Sequence, residues 1–311
     1  MNYSIRLDEN HGNHRKKKVN CPYCNSRGTW VRYYDFNSHA YLPERFGRCD
    51  REHSCGVHMK PPSTNKDGKQ NRLSSHLVGK SLNNYDNNAF TVWIASMFGH
   101  EEAIEICARY NVGTTKDGRT VFWQVDRFGG VRSGKVMKYK PDGHRDKSGQ
   151  TWVHSILELE NFELEQCLFG EHLLSLNPEL PVVIFESEKT AILYELYQPD
   201  QFVSLACGTL NGLGGKSLNR IKVKCLVGRD VVLFPDASGK GQAFSQWSNL
   251  AKQMNEFDIA TTVQNLDNQL CHQHRQDGLD YGDVIVCEHT CTYPDELRQS
   301  DDPTKLFYFP F

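Results

Sequence analysis

The 311-residue sequence has no run of 18 apolar residues, so a segment that crosses a bilayer is not expected. Its amino terminus, MNYSIRLDENHGNHRKKK, is polar and lacks the apolar stretch of a secretory signal. A Walker loop is missing too, because Gly215-Lys216-Ser217 has no glycine at the required distance upstream. We therefore expect a cytoplasmic protein that binds no membrane and has no nucleotide-binding P-loop.

The net charge is only −2, but it is unevenly distributed. Residues 1–150 contain 25 Lys and Arg against 15 Asp and Glu, a difference of +10. Residues 151–311 contain 11 against 23, a difference of −12. This split predicts a basic half that holds a polyanion and an acidic half that needs cations or a partner. Two solvated faces are the alternative.

The 11 cysteines of this large chain indicate metal ligation or buried thiols rather than disulfides. Two residues separate the first cysteine pair, and four thiolates complete the tetrahedral shell of structural zinc. This pattern predicts a Zn²⁺ ribbon over residues 15–60, with His53 or His58 as an alternative to one thiolate. The predicted ligands are Cys21, Cys24, Cys49 and Cys55.

The segment between the cysteine pairs, residues 29–36 (TWVRYYDF), has a strand-like pattern rich in aromatics. Aromatic rings stack on unpaired bases and arginines neutralise phosphates, so this strand and its Arg32 are a candidate surface for single-stranded nucleic acid. The same aromatics would also suit the small core that a ribbon needs. The preceding His11–Lys18 is typical of a flexible basic arm.

Residues 61–88 are rich in Pro, Ser, Asn, Gly and Lys, which predicts a linker. Residues 89–160 are predicted to form an α+β basic segment that binds nucleic acid. It begins with two short helices broken at Gly99, and strands over 119–126 and 131–140 follow, joined by a glycine turn. The residues expected to form a basic ridge on the second strand are Arg132, Lys135, Lys138 and Lys140. A solvated strand face is the alternative.

The rest of the chain is organised around residues 181–193, PVVIFESEKTAIL. A short apolar run ends at Glu186 and a helical pattern follows, which is typical of a buried strand leading into a helix. Residues 230–234 repeat the pattern and lead to Asp236. Two parallel strands would bring both acids to one edge of a sheet, where a divalent cation finds carboxylate ligands.

Further strands are predicted over residues 202–207 and 259–266, so the expected fold class is α/β. Residues 161–290 should form a mostly parallel four-stranded sheet with flanking helices, and residues 291–311 a tail. The glycine-rich segment 208–215 lies between two of these elements. Because glycines leave the backbone exposed, this segment is able to approach a phosphate closely.

The order strand-Glu-helix, strand, strand-Asp-x-x-helix, strand resembles the Toprim domain of bacterial-type primases, type IA topoisomerases and some nucleases. With the ribbon and basic segment upstream, it resembles Toprim-domain DNA primases of phages and mobile elements, over residues 15–60 and 90–290. The resemblance implies metal-dependent synthesis of short primers from nucleotides on single-stranded DNA, with Mg²⁺ or Mn²⁺ in the catalytic site. Nothing after residue 290 resembles a helicase, so a helicase is expected only as a separate partner.

The resemblance also implies roles for individual residues. Ser238 stands where the family has the second acid of an Asp-x-Asp pair, and Asp280 or Asp283 is expected to take its place. Lys189 and Lys240 are expected to neutralise phosphates, with solvated lysines as the alternative. The expected ligands of Mg²⁺ or Mn²⁺ are Glu186, Asp236, Asp280 and Asp283.

Two further functions stay open from the sequence. Ser238 favours a non-catalytic protein that binds single-stranded nucleic acid on a degenerate Toprim scaffold. A Toprim nuclease is the other. The alternative to metal binding is a structural role, for Glu186 at the start of a helix and for Asp236 as an N-cap or turn residue. The region near the carboxyl terminus has enough cysteines and histidines to bind a second zinc ion, but their spacing matches no known pattern. Those residues are Cys271, His272, His274, Cys287, His289 and Cys291.

Overall fold

The computed structural model describes residues 5–8, 18–35, 40–51, 55–61, 71–268, 275–276 and 278–290. These residues form two compact units that divide between Arg72 and Leu73, with Asn161–Glu163 grouped with the first. The five domain ranges given above stay a prediction. Several predictions lie outside the described residues: the basic arm up to residue 17, His53, residues 62–70 of the linker, Cys271, His272, His274, Cys291 and the tail.

The first unit is a small antiparallel sheet built around Trp30, which is 1% exposed. A Cβ atom on Gly47 would lie 2.5 Å from the Trp30 ring and from the Val31 carbonyl oxygen, so only glycine lets these strands approach so closely. The strands are β1 Ile5–Leu7, β2 Trp30–Asp35, β3 Ala40–Tyr41, β4 Gly47–Cys49 and β5 His58–Met59. They are ordered β1-β2-β4-β5, and β3 pairs with β2.

The second unit begins with helices whose starts are fixed by polar caps. The Asn88 side chain accepts a hydrogen bond from the Phe90 amide at 3.1 Å, and Ser74 caps the helix before it. Gly99, with φ +103°, separates the next two helices as the sequence predicts. The helices are α1 Ser75–Ser81, α2 Ala89–Phe98 and α3 His100–Arg109, with a 3-10 turn at Tyr85–Asn87.

A four-stranded antiparallel sheet follows, and it contains the predicted hairpin. The Asp126 carboxylate accepts from the amides of Phe128 and Gly130, and Gly129 has φ +79°. The sequence did not predict β9, because its residues RDKSGQTW are polar and largely exposed and lack an apolar alternation. The elements, adjacent in this order, are β6 Val112–Thr114, β7 Thr120–Val125, β8 Val131–Tyr139 and β9 Arg145–Trp152, followed by α4 Val153–Ile156.

The predicted parallel sheet is confirmed: all three strand pairings are parallel, in the order β11-β10-β12-β13. Its strands are β10 Val182–Phe185, β11 Val203–Ala206, β12 Asp230–Phe234 and β13 Ala260–Val263. The helices are α5 Glu188–Tyr197, α6 Arg220–Val223, α7 Gln242–Asn255 and α8 Tyr281–Thr290. Short 3-10 turns lie at Glu171–Ser175, Lys224–Leu226 and Leu266–Asn268.

The core of the second unit is aromatic. The Phe185 ring centroid lies 5.0 Å from that of Phe234 and 5.0 Å from that of Tyr194. Trp247 on α7 is fully buried against the same cluster of apolar side chains. In the part of the chain that the structure describes, no helix has the length and apolar character needed to span a bilayer.

Candidate functional site

The four predicted cysteine ligands come together in the first unit, with all their sulfur atoms within 4.8 Å of one another. The Sγ–Sγ distance is 3.9 Å for two of the pairs. A tetrahedron with Zn–S bonds of about 2.3 Å has an edge of about 3.8 Å, so the spacing fits zinc. His58 is not needed, because its Nε2 atom bonds to the Tyr33 hydroxyl at 2.8 Å. The ligand set is Cys21, Cys24, Cys49 and Cys55.

The aromatics of the ribbon strand are mainly core residues. Trp30 and Tyr33 are buried, which supports the second of the two interpretations given above. Arg32 donates to the Leu42 carbonyl oxygen at 2.8 Å, and its guanidinium lies 4.7 Å from the centroid of the Tyr41 ring. A nucleic-acid contact by Arg32 stays a prediction.

The two acids of the organising strands lie side by side in the second unit. Strands β10 and β12 pair in register, Phe185 opposite Phe234, so Glu186 and Asp236 follow the same edge. The Asp236 amide donates to Glu186 Oε1 at 3.2 Å. The sequence-based expectation that both acids reach one edge therefore agrees with their observed positions.

The late acidic pair reaches the same region through α8. The Asp283 amide donates to Asp280 Oδ1 at 2.9 Å, and the Asp280 amide donates to Asp283 Oδ2 at 3.1 Å. This reciprocal pair caps the start of α8. Thr190 on α5 donates to Asp280 at 2.9 Å, and Lys189 contacts Asp283 at 3.4 Å. The capping pair is thus tied to α5, which begins just after Glu186.

The carboxylates of Glu186, Asp236 and Asp280 lie close together, and nearby cationic side chains neutralise only part of their negative charge. Burial, together with Asp280, Glu186 and Asp283, raises the pKa of Asp236 well above its usual value, and Lys189 lowers it only in part. Burial is also the main reason for the raised pKa values of Glu186 and Asp280. A group of acids with raised pKa values is a candidate functional site.

A cleft of about 390 Å³ opens beside the acids. Glu186, Asp236 and Asp280 form one part of its lining, and Lys135, Arg145 and Lys189 form another. The remaining lining residues are Met137, Tyr139, Gly143, Ser187, Glu188, Gly208, Thr209 and Leu210. The cleft therefore presents both carboxylates and cationic side chains.

Ser238 has a structural contact in this fold. Its hydroxyl accepts from the Ala243 amide in the first turn of α7 at 3.1 Å, and its own amide donates to Asp267 at 2.8 Å. Lys240, two residues later, is exposed. A role for Lys240 beside phosphates stays a prediction.

The predicted basic ridge needs a correction at Lys135. Along β8 the side chains alternate, so Lys135 lies on the opposite face from Lys138 and is 4% exposed. It contacts both carboxylate oxygens of Glu188, at 2.9 and 3.1 Å. Lys138 is exposed and pairs with Asp146 at 3.4 Å.

The other two residues of that ridge differ in exposure. Lys140 is exposed. Arg132 is only 18% exposed and forms ion pairs with Asp126 at 3.0 Å and with Glu165 at 2.6 Å. Contacts of Arg132, Lys138 and Lys140 with nucleic acid stay a prediction.

The sequence did not indicate three residues of the cleft. The Arg145 side chain is exposed and makes no hydrogen bond or ion pair with other described residues. Tyr139 and Glu188 are buried. The signal for Glu188 was its place two residues after Glu186, but only the fold reveals that Lys135 is its partner.

Of the six soft ligands near the carboxyl terminus, two are described. His289 is exposed, donates from Nε2 to the Met97 carbonyl oxygen at 2.7 Å, and stacks on Phe98 with centroids 4.3 Å apart. Burial raises the pKa of Cys287. Within the described ranges, the four ribbon cysteines are the group whose candidate ligand atoms meet the 4.8 Å spacing.

Two family models match parts of the chain. Residues 3–70 match a zinc beta-ribbon finger family. Residues 88–237 match a family described as Domain of unknown function (DUF6371). No curated protein matches the chain. The predicted zinc ribbon is thus supported both by a family match and by the cysteine cluster.

Several solved primase structures are similar to this chain at low identity. The primase fragment of the bacteriophage T7 primase-helicase is 15% identical with a TM-score of 0.44, covering 90% of this chain and 98% of that one. The RNA polymerase domain of the Mycobacterium tuberculosis primase is 11% identical with a TM-score of 0.41, covering 72% and 81%. A DnaG primase catalytic domain bound to single-stranded DNA is 12% identical with a TM-score of 0.43, covering 72% and 76%. With TM-scores below 0.5, these similarities carry no activity over to this chain.

Proposed function

We propose that this protein is a zinc-ribbon, Toprim-type primase that makes short primers on single-stranded DNA in the replication of a phage or mobile element. The observation that carries the proposal is the convergence of Glu186, Asp236 and Asp280 at one sheet edge, beside a cleft with cationic side chains. Carboxylates of this kind suit metal-assisted phosphoryl transfer, because they bind a cation that neutralises phosphate charge.

The donor set of the cleft fits Mg²⁺ or Mn²⁺. Its carboxylate oxygens are hard ligands, and their pKa values are raised by burial and by the neighbouring negative charges, which a cation would offset. No trio of acids in the described ranges reaches the 4.8 Å spacing of the cysteine group. Mg²⁺ commonly takes one or two carboxylates and completes its shell with water and substrate phosphates, so the pair Glu186 and Asp236 is sufficient.

When bound, the cation would lower the charge barrier to attack by a 3′-hydroxyl on a nucleotide phosphate. The chain itself supplies orientation. The Asp236 amide holds the Glu186 carboxylate, and Thr190 holds Asp280, so the ligands start from fixed positions. Lys189 and Arg145 line the same cleft and would bind phosphate oxygens.

We assign binding of the DNA template to the exposed basic residues of the antiparallel sheet. Lys138 and Lys140 are exposed at the end of β8, the strand that also sends Lys135 and Tyr139 into the cleft lining. A strand held there would run along the face of β8 opposite to Lys135. The zinc ribbon is the second expected contact with DNA, and Arg32 is its candidate residue.

A non-catalytic protein that binds single-stranded nucleic acid is the second candidate, and Ser238 favours it. Its hydroxyl bonds to α7, and it supplies no carboxylate to the cleft. A site with one acid fewer binds hard cations more weakly. A nuclease that uses the same acids is the third candidate, because the same metal chemistry also cleaves phosphodiesters.

Product analysis separates the three candidates. The full-length protein is incubated with end-labelled single-stranded DNA, labelled nucleotides and Mg²⁺ or Mn²⁺. New short polymers support the primase, and shortened template supports the nuclease. If the DNA stays intact and bound in the presence of a chelator, and no polymer forms with either metal, the result would support the non-catalytic binding protein and exclude the primase.

A further inference from the structure

The glycine-rich segment 208–215 follows β11 and reaches the cleft. Thr209 and Leu210 belong to the cleft lining. Gly208 has φ +93°, a conformation that favours glycine, and its amide donates to the Glu186 carbonyl oxygen at 2.8 Å. The start of the segment is therefore fixed to the strand end that carries Glu186.

Two buried lysines hold consecutive carbonyl oxygens at this point. Lys222 Nζ donates to the Cys207 carbonyl oxygen at 3.1 Å, and Lys135 Nζ donates to that of Gly208 at 3.2 Å. The two side chains come from different elements, α6 and β8, and are 6% and 4% exposed. Lysines are rarely so buried, and here both contact the same short stretch of backbone.

The two ammonium groups differ in their charge partners. Lys135 also contacts both oxygens of Glu188, which is 3% exposed. Lys222 forms no ion pair with another described residue, and burial lowers its pKa. Its positive charge is thus left without a direct carboxylate partner behind the segment.

The main-chain N–H groups that follow are available as donors. In a trans peptide the C=O and N–H bonds point in opposite directions, so a carbonyl held by Lys135 turns the Thr209 N–H away from that lysine. The amides of Thr209 and Leu210 have no acceptor among the described residues. Backbone N–H groups of this kind, with positive charge nearby, form sites for anions.

We propose that the Gly208–Leu210 segment binds substrate phosphate groups through the main-chain N–H groups of Thr209 and Leu210, and that Lys135 and Lys222 are positioning residues that fix its shape. The inference rests on the proposed function for the source of the phosphate, either a nucleoside triphosphate or the backbone of the DNA strand. Binding of phosphate itself is measurable without primer synthesis.

The probe is inorganic tripolyphosphate, titrated by calorimetry into the full-length protein with Ca²⁺ present and DNA absent. A second arm titrates a single-stranded oligonucleotide. Thr209→Pro removes one N–H donor, and Thr209→Ala is its matched control because it keeps that donor. We expect Thr209→Pro to weaken binding of the probe about tenfold, the loss of one hydrogen bond to a charged group, and Thr209→Ala to bind as the wild type does.

The lysines are tested by Lys222→Met and by the double variant Lys135→Met/Glu188→Gln. The double variant leaves no unpaired buried carboxylate, so the fold is retained. Lys224→Met is the control, an exposed lysine that follows α6. We expect both test variants to lose affinity about tenfold while their thermal midpoints stay close to that of the wild type, and Lys224→Met to lose none.

The two arms assign the source of the phosphate. Weakened tripolyphosphate binding assigns the segment to the nucleotide, and weakened oligonucleotide binding assigns it to the strand. Unchanged affinity in both arms for Thr209→Pro and Lys222→Met, or an equal loss in the controls, overturns the inference. If the protein makes no primers but the variants show the expected binding pattern, the proposed function would be refuted and the phosphate site would still be supported.

Discussion

Removal of zinc should unfold the first unit and leave the second folded. The first unit has strands of only 2 to 6 residues. Among its described residues, the buried side chains other than the cysteines that are apolar or aromatic are few: Trp30, Val31, Tyr33, Phe46, Val57 and Met59. At about 1.5–3 kcal/mol for each, they contribute about 9–18 kcal/mol before the entropy of folding is subtracted. Structural zinc contributes about 10–16 kcal/mol to the folding of zinc-finger peptides. This is as large as the contribution of all the buried side chains named above, and as large as the net stability of a typical domain.

The perturbation is Cys21→Ser in the full-length protein, with Cys287→Ser as a control from outside the ribbon cluster. Zinc content is measured by mass spectrometry, and unfolding by calorimetry. We expect Cys21→Ser to lose the zinc and the transition of the first unit, while the transition of the second unit keeps its midpoint. The control should keep both. A Cys21→Ser protein that retains one zinc per chain, or that unfolds as the wild type does, would refute this reasoning.

Three further predictions concern the cleft. Because the folded state raises the pKa of Asp236, it binds that proton more tightly than the unfolded state does. Without divalent cations, the free energy of unfolding should therefore fall as pH rises above about 4, the usual pKa of an aspartate, and Asp236→Asn should flatten this fall in denaturant melts. Arg145→Ala should raise the KM for nucleotides about tenfold in steady-state assays and leave the thermal midpoint unchanged, because its exposed guanidinium has no ion pair to lose. Gly143→Ala should lower the midpoint more than Gly129→Ala: both positions have φ +79°, but only at Gly143 would a Cβ atom lie 2.1 Å from the Trp93 ring.

The sequence predicted the elements whose signals are local. Each of the acids Glu186 and Asp236 follows a short apolar run, and buried parallel strands have that appearance whatever surrounds them. The spacing of the ribbon cysteines was equally informative, because zinc restricts the geometry of its ligands. For these features, neighbouring residues in the chain carry the information.

Side-chain contacts that depend on how distant segments pack could not be predicted. Lys135 looked like part of a surface ridge, and its burial depends on Glu188, which lies 53 residues later. Arg145 was missed because its strand is polar and exposed, so no periodicity marked it. Ser238 looked like a lost metal ligand, and its bond to the start of α7 depends on how the loop folds.

The central claim is tested most directly by the rate of primer synthesis on single-stranded DNA by wild type, Glu186→Gln and Asp236→Asn. Asp230→Asn is the matched control, because Asp230 lies at the opposite end of β12 and is exposed. We expect short, metal-dependent products from the wild type and from Asp230→Asn, and a loss of at least about 100-fold in the two cleft variants. A wild type that makes no product, or cleft variants as active as the control, would contradict the account.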